Sequence, residues 1–241
     1  MSESSDAALN QTLPEKIAAA LAERIVDGRY PPGSRLVEAV LSREFGSSHG
    51  PVRDALRLLQ SAGLVTILPY RGAVVTDVTV REIREIYQVR AALVGLRARW
   101  IAEDPQRGEL LEKVAEPIAR LQKLAGKDAE AYTRTALQVN RTFTESLGNR
   151  WLRATLNSLM LQTSRYTRLA LASPAHQRLS ARQWQALLEA IQAGDGDRAE
   201  SIAATLSQAT RDAAIRHLEN PARGAPPAAA GKGNARRKAS T

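Results

Sequence analysis

The sequence contains no cysteine. Disulfides, thiol nucleophiles and cysteine-built metal sites are therefore all excluded. Histidine is scarce, with only His49, His176 and His217, and these are too scattered to form a Ser-His-Asp set. The helical part of the chain has no Glu-x-x-His pair, and no glycine-rich phosphate loop occurs. A helical enzyme is thus the weakest functional class open to the chain, and no catalytic residue is assigned. The opening residues, MSESSDAALNQ, lack the apolar segment of a secretory leader, and no later stretch is long and uncharged enough to span a bilayer. The expectation is a cytoplasmic protein with no membrane partner.

The 241 residues are 44% hydrophobic, enough for a sizeable core and for two ordinary domains. Net charge is +9, but its distribution matters more than its sum. Residues 221 to 241 carry Arg223, Lys232, Arg236, Arg237 and Lys238 with no acid, so more than half of the excess lies in the tail. Residues 14 to 76 hold eight basic and six acidic side chains. Any affinity of that segment for a polyanion must come from placement and from doubling in a dimer rather than from bulk charge.

Residues 36 to 75 form the most informative stretch. The spacing predicts a short helix from Glu38 to Phe45, a corner at Gly46-Ser47-Ser48, and a second helix from Ser48 to Gly63. Two β-branched runs, Leu64 to Ile67 and Ala73 to Val75, follow around Pro69, Tyr70, Arg71 and Gly72. Gly46 supplies the positive φ that ends the first helix, Ser48 or Ser47 is expected to cap the second, and Pro51 falls in its first turn. Val52, Ala55, Leu56 and Leu59 give the second helix an apolar back, leaving Arg53 and Arg57 on its outer face. This is the outline of a winged helix-turn-helix, whose second helix enters the DNA major groove by its N-terminal end. The candidate DNA-binding residues are Ser48, His49, Gly50, Arg53, Arg57, Arg71 and Gly72. Arg53 has the reach for a guanine edge or a phosphate, Arg57 suits a phosphate, and Arg71 at the wing tip suits a minor groove.

Ahead of this motif, Pro14 opens a helix that runs to Asp27, with Ile17, Leu21 and Ile25 inward and Gly28 as its terminator. From residue 79 to 219 the pattern is helical throughout. Thr79 with Glu82 makes a capping box for a helix to about Ala102, and a second helix runs from about Gln106 to Ala125. Asp128 caps a third helix to Leu147, and Asn149 caps a fourth to about Ala172. Ser180 with Gln183 forms a further capping box for a fifth helix ending at Gly194, and a sixth begins near Asp197. His176 accordingly falls in a loop and His217 near a helix end. The fold class expected is mainly α: an N-terminal winged helix-turn-helix followed by an antiparallel six-helix bundle. An architectural DNA binder without a ligand is the alternative left open. The bundle is larger than a dimer seam requires.

With these elements in place, the chain resembles the GntR family of bacterial transcription regulators. The likeness is carried by Ile25, Gly28, Pro32-Gly33-Ser34-Arg35-Leu36, Glu38 and Leu41-Ser42-Arg43-Glu44-Phe45-Gly46. It continues through Ser48-His49-Gly50-Pro51-Val52-Arg53-Asp54-Ala55-Leu56, Gly63-Leu64-Val65 and Arg71-Gly72. Tyr87-Gln88-Val89-Arg90, Phe143, Gly148-Asn149, Leu187-Leu188-Glu189-Ala190-Ile191 and Gly194-Asp195 look like the FCD effector domain of the FadR subfamily. Six helices match its VanR-like branch. The resemblance implies a homodimeric repressor that binds a palindromic operator on double-stranded DNA and is released by a small organic metabolite. The likeness covers about residues 13 to 219, and with the composition of the two ends the chain divides into a disordered N-terminus (1–12), a DNA-binding domain (13–77), an effector-binding and dimerisation domain (78–219) and a disordered basic tail (220–241).

Two departures from the family pattern stand out. His49 and Gly50 occupy positions where family members usually have Arg and Thr, removing a strong base-edge donor. Many FCD domains hold a divalent metal on one aspartate and three histidines, and this chain has Asn140, Thr144, Trp184 and Leu206 there. Amide and hydroxyl oxygens are poor replacements for carboxylate and imidazole, and Trp and Leu offer no ligand, so no metal or other cofactor is expected. These four residues and Arg90 are the candidate effector-binding residues, with Arg90 expected to meet an anionic group on the metabolite.

Overall fold

The computed structural model describes residues 11–68 and 72–220. The expectation of disorder at the N-terminus and in the basic tail falls largely outside those residues. So do Pro69, Tyr70 and the candidate Arg71 at the wing tip.

Helix α1, Leu13–Val26, starts as its sequence directs. Thr12 accepts the Glu15 N–H, Glu15 Oε2 accepts the Thr12 N–H at 2.7 Å, and Pro14 sits in the first turn, where its missing N–H costs nothing. Strand β1 (Arg35–Leu36), helix α2 (Glu38–Glu44), helix α3 (His49–Ser61) and strands β2 (Val65–Leu68) and β3 (Gly72–Val75) follow. The sheet runs β1-β3-β2 and is antiparallel, with Ala73 paired to both Leu36 and Ile67. The hairpin matches the two runs read from the sequence. Strand β1 is an addition, because two residues are too short to show alternation. It forms because β3 would otherwise present an unpaired edge. Ile17, Leu21, Ile25, Leu36, Leu41, Val52, Leu56, Leu59, Val65 and Val75 close one core beneath α1–α3 and this sheet.

The corner between α2 and α3 contains one correction. Gly46 has φ +58° as its role requires, and Ser48 is the N-cap of α3, but the Ser48 side chain makes no cap hydrogen bond. A capping hydroxyl usually accepts from the second or third helical N–H, and the third helical residue here is Pro51, which has none.

Six helices make up the remainder: α4 (Val80–Glu103), α5 (Gly108–Leu124), α6 (Ala129–Glu145), α7 (Arg150–Leu171), α8 (Pro174–Ala193) and α9 (Gly196–Glu219). Thr79 and Glu82 form the capping box of α4, and Asp128, Asn149 and Asp195 cap α6, α7 and α9 through side-chain oxygens. The two longest, α4 and α9, lie along each other. Gly95 makes this possible, since a Cβ there would sit 3.1 Å from Glu200 Cγ and 3.2 Å from its carbonyl oxygen. Arg99 ties the same seam to Asp197 and to Glu200, the latter at 3.0 Å.

Helix α8 begins seven residues earlier than its Ser180-Gln183 pattern indicates. Ser173 caps it and Pro174 occupies the first turn, leaving Ser180 buried in the interior of the helix. Both serines satisfy the local capping grammar, and the Ser-Pro pair prevails because proline's fixed φ is already helical. His176 is therefore not a loop residue. It is 4% exposed, with Nε2 3.3 Å from Thr210 Oγ1. Burial, helped by the charge of Arg216, lowers its pKa to about 4. His217 lies in the last turn of α9, the placement its sequence position gave.

Candidate functional site

The leading end of α3 is open to solvent. Ser48, His49 and Gly50 are exposed there, and a Cβ on Gly50 would meet nothing within 4 Å. No packing constraint thus requires glycine at this position. His49 Nδ1 lies 3.4 Å from Ser42 Oγ on α2, which holds the ring toward the corner. Arg53 projects from the outer face and meets Glu38 at the start of α2, with Nη2 donating to Oε2 at 3.0 Å and Nε to Oε1 at 3.4 Å. The carboxylate keeps Arg53 above its ordinary pKa, first by the hydrogen bond and then by charge. Arg57 donates to Asp54 Oδ1 at 3.2 Å, one turn away. Both arginines are exposed, so these ion pairs are weakly held and exchangeable for phosphate or base edges. Gly72 opens β3 with φ +76°. The structure brings Ser48, His49, Gly50, Arg53 and Arg57 onto one helix, with the wing sheet as a separate element. From sequence Glu38 stood out only as the start of α2 and as part of the family likeness, because its pairing with Arg53 across the corner leaves no local signature.

The second candidate site lies inside the helical half. A cavity of about 50 Å³ is lined by Arg90, Val94 and Arg97 from α4, Asn140 from α6, Thr167 and Leu171 from α7, Ser180 and Trp184 from α8, and Leu206, Ser207 and Thr210 from α9. Arg90, Asn140, Trp184 and Leu206 are thus brought together. Thr144 stands one turn behind Asn140 and is fully buried. Trp184 packs its ring 5.6 Å from that of Phe143, and Arg90 lies over the Tyr87 ring at 5.0 Å.

Arg97 is the residue sequence reasoning missed. It is 2% exposed, and its Nη1 donates to Thr144 Oγ1 at 2.7 Å, to Asn140 Oδ1 at 2.9 Å and to the Asn140 carbonyl at 3.2 Å. Burial, then the charge of Arg90, lowers its pKa to about 9, so it stays a cation at neutral pH. The signal was available, because Arg97 lies seven residues after Arg90 and so on the same face of α4 two turns on. The donor set does not suit a transition metal: Asn140 and Thr144 spend their oxygens on a guanidinium, and Trp184 and Leu206 have no ligand atom to give. Among the described residues no group of three or more His, Asp or Glu side chains is placed to hold a metal ion. No helix among them is long and apolar enough to cross a membrane.

Helix α7 links the cavity to the N-terminal half. Thr167 and Leu171 face the cavity, and Thr167 Oγ1 is 3.1 Å from Tyr87 Oη. Other residues of the same helix touch the N-terminal half. Leu161 packs on its core, Arg168 pairs with Asp27 of the α1 cap at 3.3 Å, and Gln162 covers Gly63. A Cβ at Gly63, where φ is +76°, would stand 2.9 Å from Gln162 Cδ.

Two family models match the chain: bacterial regulatory proteins, gntR family, over residues 13–75, and the FCD domain over residues 85–220. The galactonate operon transcriptional repressor of Escherichia coli (strain K12) is 29% identical over 222 residues, covering 82% of this chain and 94% of that protein. The HTH-type transcriptional regulator YdhC of Bacillus subtilis (strain 168) is 31% identical over 129 residues, 53% of this chain. That match spans 55% of the length of YdhC. Among solved structures, E. coli McbR/YncC superimposes with a TM-score of 0.74 at 21% identity, over 86% of this chain and 99% of that one. At that identity the likeness speaks for the fold.

Proposed function

From the premise that the chain belongs to the GntR family of bacterial transcriptional regulators, with an FCD domain behind its DNA-binding domain, we propose that it is a metabolite-responsive repressor. It binds a palindromic operator as a homodimer in the cytoplasm. Arg53 is its main base-edge or phosphate donor, Arg57 a phosphate contact, and Ser48, His49 and Gly50 the end of α3 that meets the groove. Arg71 and Gly72 serve the wing. The first turn of α3 leaves its amides without a side-chain cap, and such amides favour a phosphate. The effector occupies the cavity among Arg90, Asn140, Trp184 and Leu206, with Thr144 behind Asn140.

The observation that carries this reading is the position of α7. One face of the helix is cavity wall and another is the seat of the DNA-binding half. A dimer reads two half-sites only while its reading helices stand at the operator's spacing. A ligand that prefers a different placement of α7 weakens DNA binding by its differential affinity for the two arrangements. Repressor action accords with the name of the galactonate operon relative.

The test is footprinting of the full chain on fragments of its own genome at physiological ionic strength. Protection of two symmetric half-sites about one helical turn or a multiple apart, relieved by a metabolite, is the expected result. Uniform protection without sequence preference would instead favour an architectural binder.

A further inference from the structure

We propose that the open groove between the two halves of the chain is a second ligand site, distinct from the cavity, and that it takes the phosphate group of a small phosphorylated sugar on Arg165 and Arg141. The site is independent of what fills the cavity among the helices.

The groove, of about 970 Å³, has one wall from the end of α1, Val26 to Gly28, and the other from α6, α7 and the last turn of α9. Its size is that of a ligand site rather than of a water pocket. Four arginines line it against two acids, and each acid is already engaged, Glu130 with Arg134 at 2.8 Å and Asp27 with Arg168 at 3.3 Å. Arg141 and Arg165 have no ion-pair partner among the described residues, which leaves two positive charges lining one space. A phosphate monoester carries about −1.5 to −2 charges at neutral pH and presents three acceptor oxygens, so one such group matches both guanidiniums. A single carboxylate balances only one of them.

Arg165 supplies an independent sign. Its Nη1 is buried with no hydrogen-bond partner, where the groove meets a small cavity lined by Gly63 and Leu161. A guanidinium N–H taken from water without an acceptor is costly, so a group that keeps one beside an open groove suits an acceptor brought from outside. Two further observations set the kind of phosphate. No Phe, Tyr or Trp lines the groove, so nothing in it stacks on a nucleobase, whereas Gln138 offers hydrogen bonds to hydroxyls. The reading end of α3 is also distant. Gly63 lies beyond the opposite end of this 13-residue helix, so Ser48 stands about 20 Å from it, and a duplex held at Ser48 does not bring its phosphates to Arg165.

The experiment is calorimetric titration of the full chain with glucose 6-phosphate, glucose, AMP and inorganic phosphate. Glucose 6-phosphate is expected to saturate one site per chain and glucose to give no binding heat. AMP and inorganic phosphate should bind at least about fivefold more weakly than the sugar phosphate. Arg165→Gln should lower glucose 6-phosphate affinity at least about tenfold and Arg141→Gln at least about threefold. Arg120→Gln, the same charge change at an exposed α5 position outside the groove, should leave it unaltered. Arg141 is exposed, so its variant tests the site even if Arg165→Gln unfolds. The proposal is overturned by the absence of saturable heat with glucose 6-phosphate, by equal binding of glucose, or by AMP or inorganic phosphate binding as tightly as the ester. It is equally overturned if Arg120→Gln costs as much affinity as Arg141→Gln, since bulk charge would then explain the binding. Operator binding is scored on the same preparation, so failure of the sugar phosphate to bind while the operator is still bound removes this inference and leaves the regulator standing.

Discussion

Arg97→Met removes a buried charge that has no opposing charge, and the protein should become more stable. Burial lowers the Arg97 guanidinium from the usual arginine range to about 9, which at 1.36 kcal/mol per pH unit corresponds to about 5 kcal/mol spent on keeping the cation buried. Against this stand the three hydrogen bonds of Nη1. Once they are gone, Thr144 Oγ1 keeps its bond to the Asn140 carbonyl at 3.0 Å, and Asn140 Oδ1 is the acceptor left bare, at about 1–3 kcal/mol. Methionine fills most of the arginine stem's volume and adapts its shape, so little cavity cost is added. The net expectation is a gain of about 2 kcal/mol, and a melting temperature about 4–8 °C higher by calorimetry at pH 7. The sign with pH follows from a base whose folded pKa is depressed. Its destabilising effect is complete below about pH 9 and fades as pH rises beyond that toward the ordinary arginine range, so the variant's advantage should shrink from pH 7 to pH 10. A melting temperature more than about 2 °C below that of the unmodified protein would refute the reasoning, because the hydrogen bonds of Arg97 would then outweigh its desolvation.

His176 is held neutral, with a pKa of about 4 folded against 6.5 ordinarily. Stability should therefore be lost as pH falls from about 6.5 toward 4, by up to about 3 kcal/mol; urea melts of His176→Gln should be flatter over that window, and parallel curves would count against it. Gly63→Ala puts a side chain at φ +76° and 2.9 Å from Gln162 Cδ, and should cost about 1–2 kcal/mol; a variant as stable as the parent would show that Gln162 does not seat the N-terminal half. Arg53→Ala should weaken operator binding at least about fivefold. A similar loss on all sequences with a shallower salt slope identifies a phosphate contact, a relaxed preference at one base pair identifies a base contact, and unchanged affinity removes Arg53 from the reader.

Element order was legible because it is written in short-range chemistry. Thr12-Glu15, Thr79-Glu82, Asp128, Asn149 and Gly194 each announce a helix boundary that backbone hydrogen bonding then honours. The apolar back of α3 and the two runs of the hairpin were equally local. The fifth helix of the bundle is the exception: Ser180-Gln183 reads as a capping box, but Ser173-Pro174 opens the helix. His176 was misread with it. Strand β1 depends on the free edge of β3, a partner distant in sequence.

Thus the sequence by itself determined which segments coil, where they stop, and that a helix bearing Arg53 faces outward, since caps, turns and periodicity act over a few residues. Only the tertiary structure decided that Arg90 and Arg97 share one small cavity, that Asn140 and Thr144 are committed to Arg97, and that α7 serves both halves. Such juxtapositions arise when five helices close around a common core, and burial there, rather than residue type, sets what a charge costs and what it seeks.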